Sequence, residues 1–154
     1  MILFRGAEVV YPFCMVRRDP LPKDILDKLP AAGRAMEAEP MVIFAYLFGG
    51  LAAGAPKPLS DVDIAVYLRD AAGAADAKLM LFDCLSDALG SAELDLIILN
   101  TAPISLVGRI IQGRRLLVDK EPFLRHRFES AKLREFFDFR IREDAFLERR
   151  FRNG

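Results

Sequence analysis

Apolar positions along this chain form runs that switch between the spacing of strands and the spacing of helices. Continuous or alternating apolar runs predict four strands, at 42–48, 61–68, 92–99 and 114–119. Apolar residues three and four apart predict four main helices, at 22–38, 74–89, 103–113 and from about 121 to 151. Strands that alternate with helices are typical of an α/β fold in two or three layers.

The connection between the first two strands indicates how they pair. It runs from Gly49 to Ser60 and has room for about one helical turn, at 51–53, which Gly54 and two prolines end. A parallel crossover usually needs a dozen or more residues and a helix, whereas antiparallel strands meet through a short connection. We therefore predict a mixed β-sheet flanked by helices, an α/β (α+β) fold with a long C-terminal helical segment.

Length and composition limit the classes of protein to consider. The chain has 154 residues, of which 53% are hydrophobic and 29% charged, as expected for one globular domain with a substantial core. We place that domain at 22–154 and treat 1–21 as an N-terminal extension. Within the extension, 9–16 is a candidate edge strand broken by Pro12. The formal net charge is zero, so direct nucleic-acid binding is not expected as the main task.

We expect a cytoplasmic protein with no membrane contact. Its apolar runs are all shorter than the ~18 residues that a membrane span needs. Arg5 and Glu8 interrupt the apolar N-terminus, which argues against a signal peptide. Cys14 and Cys84 are far apart and outside any metal-ligand spacing, so we expect free thiols, with a disulfide or a reactive thiol as the alternative.

Candidate chemistry is concentrated where the first strand ends and the second begins. Asp61 and Asp63 are two residues apart on a strand, so their side chains project to the same face. We expect them close to Gly49-Gly50, a turn whose backbone is able to approach a phosphate. Neighbouring carboxylates repel each other, and a cation relieves that repulsion. The alternative is that both motifs are only turn or helix-cap signals, as such residues often are.

Asp95 adds a third carboxylate in the middle of an otherwise apolar strand. We expect it to be buried, and a buried carboxylate is costly without a partner. If its strand lies beside the second strand, Asp95 converges with Asp61 and Asp63. Three carboxylates suit Mg²⁺, and two such ions are able to stabilise both ends of an in-line phosphoryl displacement.

The order of these residues resembles that of the DNA polymerase beta-like nucleotidyltransferase superfamily. The shared pattern is a strand, Gly49-Gly50, ten further residues, Asp61-Val62-Asp63 and a third acidic residue, Asp95, on a later strand. The later sequence is similar to the minimal nucleotidyltransferase (MNT) antitoxins in three places. These are Ile98-Leu99-Asn100 before Pro103, the stretch 108–122, and the Phe-rich helix with Phe137-Asp138-Phe139.

The resemblance implies a site and a partner. Asp61, Asp63 and Asp95 would be catalytic and would bind two Mg²⁺ ions, and Gly49, Gly50 and Ser60 would bind the nucleotide. MNT proteins are typically paired with a HEPN-domain ribonuclease toxin. They resemble protein adenylyltransferases, which transfer AMP from ATP to a tyrosine of that toxin, so a hetero-oligomer with the toxin is one expected assembly.

The glycine turn departs from the pattern of the superfamily. Gly50 stands where the family usually has serine, and Leu51 and Ala53 stand where many relatives have arginine. Each charge-assisted contact to a phosphate is worth roughly 1.5–3 kcal/mol. Two alternatives therefore remain open: a catalytically weakened antitoxin that neutralises a HEPN ribonuclease by binding alone, and a nucleotidyltransferase that modifies a small molecule.

Other chemistry-bearing residues have mainly structural interpretations. We expect His126 to be structural or on the surface. The basic residues Arg109, Arg114, Arg115 and Lys120 are expected to form a solvated face, with contact to a nucleotide or an acidic partner as the alternative. The C-terminal helix carries more phenylalanine than one core-facing stripe needs, so we expect part of it to be a protein-binding surface.

Overall fold

The computed structural model describes residues 20–55 and 60–152, and the candidate edge strand at 9–16 and Cys14 lie outside these residues. The described strands are β1 (Val42–Phe48), β2 (Val62–Leu68), β3 (Leu94–Ile98) and β4 (Arg115–Asp119). The described helices are α1 (Ile25–Ala38), α2 (Gly49–Ala52), α3 (Ala74–Leu89), α4 (Ile104–Gly113) and α5 (Pro122–Arg152). The predicted elements are therefore confirmed, with ends that differ by a few residues.

The strands form one mixed sheet in the order β3-β2-β1-β4. β1 lies antiparallel to β2 and to β4, and β2 lies parallel to β3, to which the chain returns through α3. In the register of β1 with β2, Phe48 is paired with Asp63 and Tyr46 with Ala65. The predicted antiparallel start and the mixed sheet are both confirmed.

Helices cover both faces of the sheet, which gives a three-layer fold. α1 and α3 pack on one face, where Val62, Ile64 and Val66 of β2 belong to a core cluster with Leu81 and Leu85 of α3. On the other face, α4 and α5 cover a second cluster that includes Phe44 and Tyr46 of β1 and Ile110 and Ile111 of α4. The continuous apolar run of β1 follows from burial on both faces, since side chains alternate between them.

Helix α5 has 31 residues and extends well beyond the body of the protein. Its first half packs on α4 and the sheet, and Phe136 is its last buried side chain. Within the described chain, every residue from Phe137 to Arg152 is exposed, a length of about 24 Å at 1.5 Å per residue. The exposed apolar side chains of this stretch, here called the distal α5 surface, are Phe137, Phe139, Ile141, Phe146, Leu147 and Phe151.

A buried charged network holds the first half of α5 to the sheet. The Tyr46 hydroxyl donates to Glu129 Oε1 at 2.6 Å, and Arg114 and Arg125 donate to the same carboxylate at 2.8 and 3.1 Å. Arg125 also pairs with Asp119 Oδ2 at 2.9 Å. Burial favours the neutral form of Glu129, but these hydrogen bonds and the two guanidinium charges outweigh it and hold the pKa of Glu129 below its ordinary value.

The expected solvated face is wrong for two of its four basic residues. Arg114 is half-buried and also donates to the Ile111 carbonyl, and Lys120 Nζ donates to the Glu39 carbonyl at 2.7 Å, so neither belongs to a solvated face. Arg109 and Arg115 are exposed, as expected. Among the described helices, none combines the length and the hydropathy that crossing a membrane requires.

Candidate functional site

Gly49 forms the sharp turn that ends β1. Its φ of +70° lies in the left-handed region, which a residue with a Cβ atom rarely adopts. A Cβ atom at this position would overlap the carboxylate of Asp63. Glycine is therefore required at Gly49 both for the backbone conformation and for the close approach of Asp63.

The short helix α2 follows this turn and is fixed by one side chain. Leu51 is only 3% exposed and belongs to the core cluster under α1 and α3. Gly50 and Ser60 are half-buried and Ala53 is exposed. The position at which many relatives have a phosphate-facing arginine is thus occupied here by Leu51, a core residue. Arg5 and Lys57, two cations elsewhere in the sequence that could replace these phosphate contacts, lie outside the described residues.

The sheet brings the three predicted aspartates to one face. Along β2, Ile64 and Val66 face α1 and α3, so Asp63, one residue out of step with them, lies on the face that carries α4 and α5. Asp61 directly precedes β2, and its negative charge acts on Asp63. On β3, Asp95 lies directly opposite Asp63 in the parallel register. Neighbouring strands are about 4.8 Å apart, so the carboxylates of Asp63 and Asp95 are adjacent.

The charges of Asp61 and Asp95 act on Asp63. Its pKa is raised from 3.8 to about 6, first by burial and then by the negative charges of Asp95 and Asp61. Both effects disfavour the ionised form of Asp63. A positive charge placed among the three carboxylates would favour the ionised form and so offset both effects.

The expected burial of Asp95 is wrong. β3 is the edge strand of the described sheet, and Asp95 is exposed on it. The apolar neighbours Leu94 and Leu96 face the core under α3, and Asp95 points to the opposite face, where the described helices leave it open to solvent. Asp95 is therefore accessible to a bound molecule without the cost of burying a lone charge.

The three aspartates fit the chemistry of a divalent cation, but they do not form a closed set of ligands. Over 20–55 and 60–152, no three His, Cys, Asp or Glu side chains lie close enough together to hold a metal ion. Carboxylates that leave positions open suit Mg²⁺, which usually keeps several waters and takes further oxygens from substrate phosphates. Asp61 and Asp63, with Asp95 beside them, are the residues that would hold it.

Solved structures with the same fold come from toxin–antitoxin complexes. A toxin–antitoxin crystal structure with AMP-PNP contains a chain 23% identical to this one, with a TM-score of 0.62, covering 81% of this chain and 97% of that chain. The complex of a tri-AMPylated Shewanella oneidensis HEPN toxin with an MNT antitoxin contains a match at 19% identity and a TM-score of 0.62, covering 82% and 98%. A crystal structure of a substituted MntA–HpeT toxin–antitoxin contains a match at 22% identity and a TM-score of 0.61, which covers 85% of this chain and 98% of that chain.

At these identities the likeness establishes the fold, which is the one that the resemblance to MNT proteins implies. Comparison with curated protein sequences gives no match. The family model described as polymerase beta, nucleotidyltransferase, matches residues 34–123, which is more than half of the chain and includes Gly49, Asp61, Asp63 and Asp95. The chain belongs to the polymerase beta nucleotidyltransferase family.

Proposed function

We propose that this protein is a cytoplasmic MNT-type antitoxin that transfers AMP from ATP to a tyrosine of a HEPN-domain toxin, in a Mg²⁺-dependent reaction. The observation that carries the proposal is the pairing of Asp63 with Asp95 across β2 and β3, with the charge of Asp61 close to Asp63 and Gly49 against Asp63. Membership of the nucleotidyltransferase family supports the reaction class. The complexes with AMP-PNP and with an AMPylated HEPN toxin support the nucleotide and the partner.

Each aspartate has a role that follows from its position. Asp61 and Asp63 lie next to the glycine turn, so they would hold the cations that bind the triphosphate. Bound Mg²⁺ would neutralise the phosphate charge and lower the pKa of the attacking hydroxyl group. Asp95 is exposed on the edge strand, so it would accept the proton of an acceptor hydroxyl that arrives from solvent.

The reaction is a substitution at the α-phosphorus of ATP. The tyrosine oxygen forms a bond to that phosphorus, and the bond from the phosphorus to the oxygen that bridges to the β-phosphate breaks. Pyrophosphate leaves with the bonding electrons, and the phenolic proton passes to Asp95. The acceptor gains one adenylate group for each ATP consumed.

Intact-mass measurement of a HEPN toxin tests the proposal directly. The toxin is incubated with ATP, Mg²⁺ and this protein, and the expected result is an increase in mass of one or more adenylate groups. The Asp61→Asn/Asp63→Asn double variant should give no increase, and Asp83→Asn, which changes an exposed aspartate of α3, should behave like the wild type. An unmodified toxin after incubation with folded wild-type protein would contradict the proposal.

A second candidate function is neutralisation of the toxin by binding alone. It is favoured by the turn, where Gly50, Leu51 and Ala53 provide neither the hydroxyl group nor the two cations that relatives place near the triphosphate. The same double variant separates the two functions. If it still suppresses the ribonuclease activity of the toxin, binding is sufficient. If it forms the complex and no longer suppresses that activity, catalysis is required.

Both functions need a surface for the toxin, and we propose the distal α5 surface. Ile141 and Phe146 are 68% and 64% exposed, so changing both to aspartate should leave the fold intact. We expect the double variant to elute without the toxin in size-exclusion chromatography. The matched control is Phe123→Asp, which changes an 80% exposed phenylalanine at the opposite end of the same helix. Loss of the complex in the control alone would place the interface elsewhere.

A further inference from the structure

The β3 edge of the sheet lies beside the candidate site. In the part of the chain that the structure describes, β3 pairs with β2 on one side and with no strand on the other. Asp95 is exposed on this strand, in register with Asp63. A molecule that binds along the edge of β3 therefore lies beside Asp95.

The backbone of β3 offers hydrogen-bonding groups to such a molecule. The Glu93 carbonyl accepts from Val62 N–H at 2.9 Å, and Leu99 N–H donates to the Val66 carbonyl at 2.9 Å. In a parallel pair, alternate residues direct their backbone groups to the same neighbour, so the odd-numbered residues of β3 bond to β2. The N–H and C=O of Leu96 and the N–H of Ile98 therefore point away from the sheet.

An apolar groove of about 430 Å³ lies at the C-terminal end of this edge. One wall is the first turns of α3, with Ala75 and Lys78, and the other is the start of α4, with Leu106. Ile97 and Ile98 of β3 form part of its lining. The groove is continuous with the strand that carries Asp95, and it has the size and polarity to take one apolar side chain.

We propose that the edge of β3 and this groove together bind the acceptor as an extended peptide, which adds a strand to the sheet. Main-chain hydrogen bonds to Leu96 and Ile98 would hold the peptide, and one of its apolar side chains would enter the groove, as in other cases of strand addition. This inference rests on the proposed function for the role of Asp95 and for the identity of the reacting residue, a tyrosine placed at Asp95.

Strand geometry fixes the spacing that the peptide needs. Residues along a strand are about 3.3 Å apart, so the groove at Ile97 and Ile98 begins roughly 7–10 Å from Asp95. A peptide whose tyrosine lies opposite Asp95 therefore places the residue two or three positions away at the groove. The preference for an apolar residue at this distance should hold on one side of the tyrosine only, because the groove lies at one end of β3.

A series of short synthetic peptides tests this spacing without nucleotide. Each peptide has one tyrosine and one leucine in an otherwise polar sequence, and the leucine is moved stepwise along both sides of the tyrosine. We expect binding, measured by fluorescence anisotropy, to be about tenfold tighter when the leucine is two or three residues away on one side. Equal affinities throughout the series would overturn the proposal.

Amide hydrogen exchange locates the bound peptide. In the free protein, the Leu96 and Ile98 amides should exchange faster than those of Asp95 and Ile97, and the best peptide should slow the first pair. A Leu96 amide that is already protected in the free protein would show that this edge is covered by the chain itself, and that result would also overturn the proposal.

A charge in the groove provides the matched variant. Ala75→Glu changes an exposed residue of the first turn of α3, where an acidic residue suits the helix, so the fold should be unaffected. We expect peptide binding to weaken about tenfold or more, while Ala38→Glu on α1 leaves it unchanged. ATP binding should be the same in both variants. Peptides that bind with the predicted spacing, together with a toxin that gains no adenylate, would refute the proposed function and leave the docking site standing.

Discussion

The carboxylate of Asp63 should make the metal-free protein less stable, and Asp63→Asn should relieve that cost. The pKa of Asp63 rises from 3.8 to about 6 in the folded protein, because burial and the charges of Asp95 and Asp61 disfavour ionisation. A rise of about two pH units corresponds to about 3 kcal/mol at neutral pH, at 1.36 kcal/mol per unit. Since Asp63 is only half-buried, solvent screening reduces the expected gain to about 1–2 kcal/mol.

The sign of the pH dependence follows from linkage. The folded protein binds the Asp63 proton more tightly than the unfolded chain, so the wild type loses stability as the pH rises from about 4 to about 6 and loses no more above that range. Asparagine does not titrate. The variant should therefore gain on the wild type over the same range and keep a constant advantage at higher pH.

Denaturant unfolding in the presence of a chelator measures this difference. Free energies of unfolding are determined for the wild type, Asp63→Asn and the exposed-aspartate control Asp83→Asn at a series of pH values from about 4 to 8. The difference between the wild type and Asp63→Asn should grow across the acidic half of the series, and the control should show no such growth. A difference that is constant with pH, or largest at the acidic end, would refute the reasoning.

Two further predictions concern single glycines and the buried network. Gly49→Ala should lower the free energy of unfolding by more than the ~1–2 kcal/mol of left-handed backbone strain, because its Cβ atom would displace Asp63, and it should abolish adenylate transfer. Gly54 has a similar φ of +72° and open space around it, so Gly54→Ala should lower the free energy of unfolding by the strain alone. Glu129→Ala should lower the free energy of unfolding by about 3–5 kcal/mol, because it leaves buried guanidinium groups unpaired; Glu135→Ala, which loses an exposed pair, should cost less than about 1 kcal/mol. Thermal and denaturant unfolding check both, and equal effects within either pair would contradict them.

The local pattern of the sequence was sufficient to predict the sheet. The short connection between Gly49 and Ser60 excluded a helical crossover, so the antiparallel pairing of β1 with β2 followed, and the face on which Asp63 lies followed from the period of a strand. The number and type of the elements depend on the same local periodicities. Their end residues depend on capping and on neighbours, which is why α1 begins at Ile25 and not at Pro22.

Properties that depend on strand order were not visible in the sequence. Asp95 is exposed because β3 lies at an edge of the described sheet, and a single apolar run does not distinguish an edge strand from a central one. Arg125 and Glu129 are four residues apart on a helix, so the sequence alone indicates that they are neighbours. Only the fold brings Tyr46 and Arg114 to the same carboxylate. Leucine at position 51 is likewise typical of a core residue, although the superfamily pattern has a phosphate-binding side chain at this position.

The pairing of Phe48 with Asp63 makes the position of the acidic site a property of hairpin register. A slip of one residue between β1 and β2 would exchange the two faces of β2 and would bury Asp63 under α1 and α3. A residue inserted within β2 is therefore expected to abolish the site, whereas a residue inserted in the connection before Asp61 leaves the register intact. The site therefore constrains the number of residues within β2, because each added residue reverses the face of those that follow, and it does not constrain the length of the segment before the strand.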